Sequence, residues 1–127
     1  MNEFDTQSPT FINFSYNHNN KLACKCFTTL RKHNKEKFFR GKICKISLLN
    51  RYLYDGTILD VITLKLSELN DWQCYLDAGI CFNDFVILIS KMYPDVKNIM
   101  EQKFDFILLE KILVVKSDDN NQLKLNL

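Results

Sequence analysis

The chain has 127 residues, 46% hydrophobic and 25% charged, a size and balance that fit one globular domain with one core. The longest apolar runs, FVILI at 85–89 and ILVV at 112–115, fall far short of the roughly 18 residues that span a bilayer, and the N-terminus lacks the basic and apolar regions of a secretion signal. A soluble cytoplasmic protein with no membrane partner is expected. The net charge of +2 hides a division, because nine basic residues between Lys21 and Lys45 face Glu36 alone, a local +8 against −6 elsewhere. Such asymmetry suits a phosphate backbone as partner.

Residues 1–20 are rich in Asn, Ser and Thr and read as a flexible arm, which Phe11, Ile12, Phe14 and Tyr16 can anchor in part. LACKCFTTL (22–30) has strand character and leads into the basic loop RKHNKEKFFRG. In and around that loop Phe38 and Phe39 stand among Lys32, Lys35, Lys37, Arg40 and Lys42. Aromatics interleaved with cations are what surfaces for single-stranded nucleic acid use, since stacking and phosphate neutralisation act together. KICKISLL (42–49) reads as a half-buried strand. Asp55-Gly56 predicts a hairpin turn, with TILDVITLKL (57–66) returning.

The period then changes. Leu69, Trp72, Tyr75 and Leu76 recur at three and four, marking a helix that Ser67 caps and Gly79 stops. A second helix is predicted from a cap at Asn83 to Pro94, apolar nearly all round and therefore well buried. KFDFILLEKILVVK (103–116) reads as one or two final strands, and 117–127 as a frayed polar tail. Strands with clustered helices argue for an α+β fold.

Five cysteines, an odd number without a secretory context, are expected as reduced thiols. Cys24 and Cys26 lack zinc-site spacing, and His18 and His33 add no ligand pattern. No metal and no cofactor is expected.

The succession KCFTTLR (25–31), FFRGKICKI (38–46), LSELND (66–71), LDAG (76–79), DFVILISKMYP (84–94) and FDFILLEKI (104–112) resembles an ASCH domain. This is a branch of the PUA-like superfamily, and the match is to its small single-domain phage and bacterial type. The resemblance implies a domain over 21–116, built as a small PUA-like β-barrel with two short helices packed on it. It further implies a cleft between the first strand and the helices, and binding of RNA or a modified nucleotide. Some small bacterial relatives are amidohydrolases that remove the acetyl group from acetylcytidine with a Lys, a Thr and a Glu. Carried over, these positions fall on Lys25, on Thr28 or Thr29, and on Asp77, the last one residue earlier and one methylene shorter than the family's Glu.

On a regular strand Lys25 and Thr29 share a face, which favours Thr29. Arg31 offers a planar fork for a phosphate or a base edge, and with Lys32, Lys35, Lys37, Phe38, Arg40 and Lys42 it makes up the expected binding surface. Two alternatives stand beside RNA or nucleotide binding. One is amide hydrolysis of an acylated nucleoside such as acetylcytidine. The other is a non-enzymatic phage or mobile-element protein that binds a host protein. The sequence leaves open whether the chain is an enzyme, what its ligand is, and its oligomeric state.

Overall fold

The computed structural model describes residues 9–113. Five strands, β1 (Thr10–Phe14), β2 (Cys26–Lys32), β3 (Ile43–Leu48), β4 (Arg51–Lys65) and β5 (Lys103–Lys111), carry two helices, α1 (Asp71–Ala78) and α2 (Phe82–Met92), between β4 and β5. Short 3-10 turns occupy 18–23, 66–68 and 99–101. The strands form one sheet in the order β1-β3-β4-β5-β2. Its first pair is parallel and the rest antiparallel.

The sheet is curled. Register shifts in β3 at Ile46/Ser47 and in β4 at Ile58/Asp60 bend it. As a result Phe14 on one edge strand meets Phe27 on the other, ring centroids 6.1 Å apart. The outcome is an α+β half-barrel with an unclosed seam between β1 and β2.

Side chains of β5 feed a core on each face of the sheet. Ile107 and Leu109 join Ile12, Phe14, Phe27, Ile46 and Ile58 in one core. Phe104 and Phe106 turn the other way and pack with Leu30 against Phe85, Ile89 and Cys74 of the two helices.

Several expectations are corrected. Residues 10–14, read as part of a flexible arm, form β1, because Ile12 and Phe14 alternate into the core and the segment pairs with β3. The hairpin turn is at Leu49-Asn50, both at positive φ (52° and 65°), and β4 runs straight through Asp55-Gly56. The side-chain carbonyl of Asn13 fixes this turn, accepting from the Asn50 N–H (2.8 Å) and the Ser47 hydroxyl (3.0 Å). Such a tertiary contact is invisible to dipeptide statistics.

Asn70, not Ser67, caps α1, with a reciprocal bond between Asn70 and Gln73. Gly79 ends that helix as expected, in the left-handed region at φ 75°. Cys81, not Asn83, holds the cap position of α2. Only Phe85 and Ile89 of that helix are fully buried, and Ile87 is exposed, because the helix lies on one face of the sheet with solvent behind it. Residues 1–8 of the expected arm and the tail at 117–127 lie outside the described residues.

Candidate functional site

The seam between the edge strands opens into a cleft of about 290 Å³. One wall is the end of β1, the other is Thr29, Leu30 and Arg31 of β2, and α2 closes it with Phe85, Leu88, Ile89 and Met92. Ser15, Tyr16, His18, Lys21 and Asp77 complete the lining.

The turn at 18–23 brings Lys21 to the cleft. Asn19 and Asn20 adopt positive φ (59° and 51°), a region Asn tolerates better than most side chains. The Asn17 side chain accepts the Leu22 N–H (3.0 Å), and the Tyr54 hydroxyl donates to the Leu22 carbonyl (2.7 Å). With Leu22 so pinned in the core, the neighbouring Lys21 is buried and its ammonium lies 3.2 Å from Asp77 Oδ1. The Thr28 hydroxyl donates to the same oxygen at 2.8 Å. Burial lowers the Lys21 pKa, with the charge and hydrogen bond of Asp77 opposing the fall. Burial also lowers His18, reinforced by Lys21 and partly offset by Asp77. Among the described residues Asp77 Oδ2 accepts no hydrogen bond.

Arg31 is the cleft's second cation. Its Nε donates to Thr29 Oγ1 (3.1 Å) and its guanidinium lies 4.8 Å from the Phe14 ring centroid. These two contacts fix the plane of the fork. Among the described residues no carboxylate comes within ion-pair distance of it and its Nη groups have no hydrogen-bond partner. Burial lowers its pKa, although a guanidinium stays protonated in proteins. With two cations, one carboxylate and a largely neutral His18, the cleft holds one uncompensated positive charge.

Of the residues singled out from the sequence, Thr29, Arg31 and Asp77 line the cleft together. Thr28 touches Asp77 from behind the lining, so the two threonines face opposite ways as the strand pleat requires. Lys25 is elsewhere. It precedes β2, its side chain is 69% exposed and it pairs with Glu110 at 3.6 Å. The lysine beside Asp77 is Lys21, which sequence reasoning passed over; the run NHNN before it was the available signal for a turn.

The basic loop is less uniformly cationic than its composition suggests. Arg40 pairs with Asp60 (3.8 Å) and Lys45 with Asp55 (3.4 Å), while Lys42 is buried with its ammonium over the Phe39 ring. Phe38 packs partly against the core, and Phe39 is exposed. Lys35 and Lys37 point to solvent, and Lys32 lies over the Tyr93 ring, next to cleft residue Met92.

The root of this loop is tied to the sheet through Asp105. Fully buried, it accepts from His33 Nδ1 (2.8 Å), the Asn34 N–H (2.8 Å) and the Thr63 hydroxyl (2.7 Å).

Among the described residues no group of three His, Cys, Asp or Glu is placed to hold a metal, and no helix is long and apolar enough to cross a membrane. No family model, curated protein or solved structure matches the chain.

Proposed function

We propose that the chain is an ASCH-like module that takes one nucleotide of single-stranded RNA, or a free modified nucleotide, into the seam cleft. The observation that carries the reading is the Arg31 guanidinium, held in plane by Thr29 and Phe14 with its Nη groups unused, over an apolar cleft of about 290 Å³. A half-buried fork with spare donors suits an oxyanion, and walls of Phe, Leu, Ile and Met suit a planar ring. The α+β half-barrel with two helices between its last strands is compatible with a PUA-like fold. Lys32, Lys35 and Lys37 would extend the contact along the backbone.

The test is titration of a fluorescent single-stranded RNA in increasing salt. Affinity should fall with a log–log slope of about −0.7 per neutralised phosphate, and Arg31→Gln should weaken binding roughly ten-fold, the worth of one charge-assisted contact. The reading is abandoned if neither RNA nor mononucleotides bind at low salt.

A second reading, hydrolysis of an acylated nucleoside, is favoured by one arrangement. Asp77 Oδ1 holds both the Thr28 hydroxyl and the Lys21 ammonium, which are parts that general acid–base chemistry uses. Thr28 stands behind the lining, so a water at the open Asp77 Oδ2 is the better placed nucleophile, with Lys21 and Thr28 holding the carboxylate through Oδ1 and Arg31 facing the developing oxyanion. Incubation with acetylcytidine followed by chromatography tests it. Release of cytidine that survives in Asp77→Asn, or no release at all, removes this reading.

A further inference from the structure

Strand β2 is an edge of the sheet, so one side of its backbone ladder has no strand partner. Two bonds at its ends show which residues turn that way. The Lys111 N–H donates to the Lys25 carbonyl (2.8 Å), and the His33 N–H to the Lys103 carbonyl (3.2 Å). Hydrogen-bonded residues alternate along an antiparallel pair, and the register from Cys26–Glu110 to Lys32–Phe104 is unbroken. Residues 27, 29 and 31 therefore bond to β5, whereas 26, 28, 30 and 32 direct N–H and C=O away from it. The other side of β5 agrees, since the Leu66 N–H bonds to the Gln102 carbonyl and so places the even-numbered residues of β5 on β4.

Leu30 is the outward-turned residue on the cleft. It is only 3% exposed, yet among the described residues neither its N–H nor its C=O has a hydrogen-bond partner. Buried main-chain groups are nearly always paired, and leaving one unpaired costs on the order of 1–3 kcal/mol. In extended chain the N–H and C=O of one residue lie side by side and point the same way. On Leu30, a residue of the cleft lining, they form a donor–acceptor pair on the open side of β2, beside Arg31, whose Nη groups are also unfilled.

We infer that the main chain of Leu30 is a recognition element, pairing with a ligand edge that sets an acceptor beside a donor. The lactam edge of a pyrimidinone or purinone, or the amino–aza edge of an aminated base, has that pattern. The inference rests on the nucleotide reading and adds to it which part of the ligand is read. Arg31 takes the charge, Leu30 takes the polar edge of the ring, and Asp77 Oδ2 remains as a second acceptor for an exocyclic N–H.

Amide-resolved hydrogen exchange on the full chain, free and with each of the four ribonucleoside 5′-monophosphates, tests this without a destabilising variant. In the free chain the Leu30 amide should exchange faster than those of Thr29 and Arg31, which bond to β5. With a nucleotide that binds, its resonance should shift and its exchange slow by about ten-fold, one added hydrogen bond. A Leu30 amide as protected as its neighbours in the free chain overturns the inference. A nucleotide that binds by calorimetry but leaves Leu30 exchange unchanged overturns it too, while leaving the nucleotide reading in place. Absence of binding by all four, and by RNA, removes both.

Discussion

Replacing Asp77 by Asn should destabilise the fold in a way that depends on pH. In the native chain the Lys21 and Asp77 side chains, 7% and 8% exposed, lie 3.2 Å apart. Removing one charge from a buried pair leaves the other uncompensated, typically at a cost of about 3–5 kcal/mol. Asparagine keeps an oxygen for Thr28 and Lys21, so the lower end, about 3 kcal/mol, is expected at pH 7. Burial already holds the Lys21 pKa below its ordinary 10.5, and Asp77 resists that fall. Without the carboxylate the pKa falls further.

Between the folded pKa and the unfolded value the unfolded chain binds more protons, so stability rises with pH. That rise is larger in the variant, and its deficit should shrink as pH climbs toward 10.5. Urea unfolding followed by far-ultraviolet circular dichroism is the assay, because Trp72 is too exposed to report on the core. With a slope of about 1–3 kcal/mol per molar urea, the midpoint at pH 7 should drop by 1 M or more. A deficit under about 0.5 kcal/mol at pH 7 would refute the reasoning, as would one that stays constant to pH 10.

Other outcomes follow from separate parts of the molecule. Asp105→Ala strands three donors, His33, Asn34 and Thr63, and should cost about 3 kcal/mol or more in urea unfolding; Thr63→Val, which removes one, should cost about 1 kcal/mol. Leu49 sits at φ 52°, where a side chain costs about 1–2 kcal/mol. Glycine there loses roughly 0.5–1 kcal/mol of that gain to backbone entropy, so Leu49→Gly should be slightly stabilising, raising Tm by roughly 2–3 °C. A fall in Tm would show the turn to be unstrained. Exposed Cys24 and Cys26 should react promptly with a thiol reagent at pH 8. Cys44 and Cys74, whose thiols burial pushes up to about 11, should react only on unfolding.

The parts of the fold visible in the sequence were those governed by local periodicity. The apolar spacing from Leu69 to Leu76 and the stop at Gly79 locate α1 to within a turn, and KFDFILLEK marks the last described strand. What was missed depended on partners distant in sequence. β1 is five residues whose pairing with β3 lies more than thirty positions away. The true hairpin turn carries Leu at a left-handed position, held there by Asn13. For the candidate site, the resemblance pointed to Thr29 and Asp77 and the planar fork to Arg31, and all three line the cleft; the resemblance put the lysine at Lys25, whereas the chain turns at Asn19-Asn20 and brings Lys21 beside Asp77. Composition likewise overstated the basic loop, since the acids that pair Arg40 and Lys45 come from β4.

The position of the cleft has a physical cause in the topology. A five-stranded sheet that curls until its edge strands nearly meet, but does not close, leaves two rows of main-chain groups facing a gap. Fold stability favours covering them, and the turn at 18–23 and α1 both pack on β2. Along β2 the side chains change character from threonine hydroxyls bonded to Asp77 and Arg31 to a guanidinium with spare donors. Unpaired main chain and unpaired charge thus fall at the same point of the seam, where a closed barrel would have neither. A segment added to close that gap, for instance a disulfide-free β-hairpin graft pairing with Leu30, should raise stability and abolish the proposed nucleotide binding together. Gain of stability with binding intact would place the ligand somewhere other than the seam.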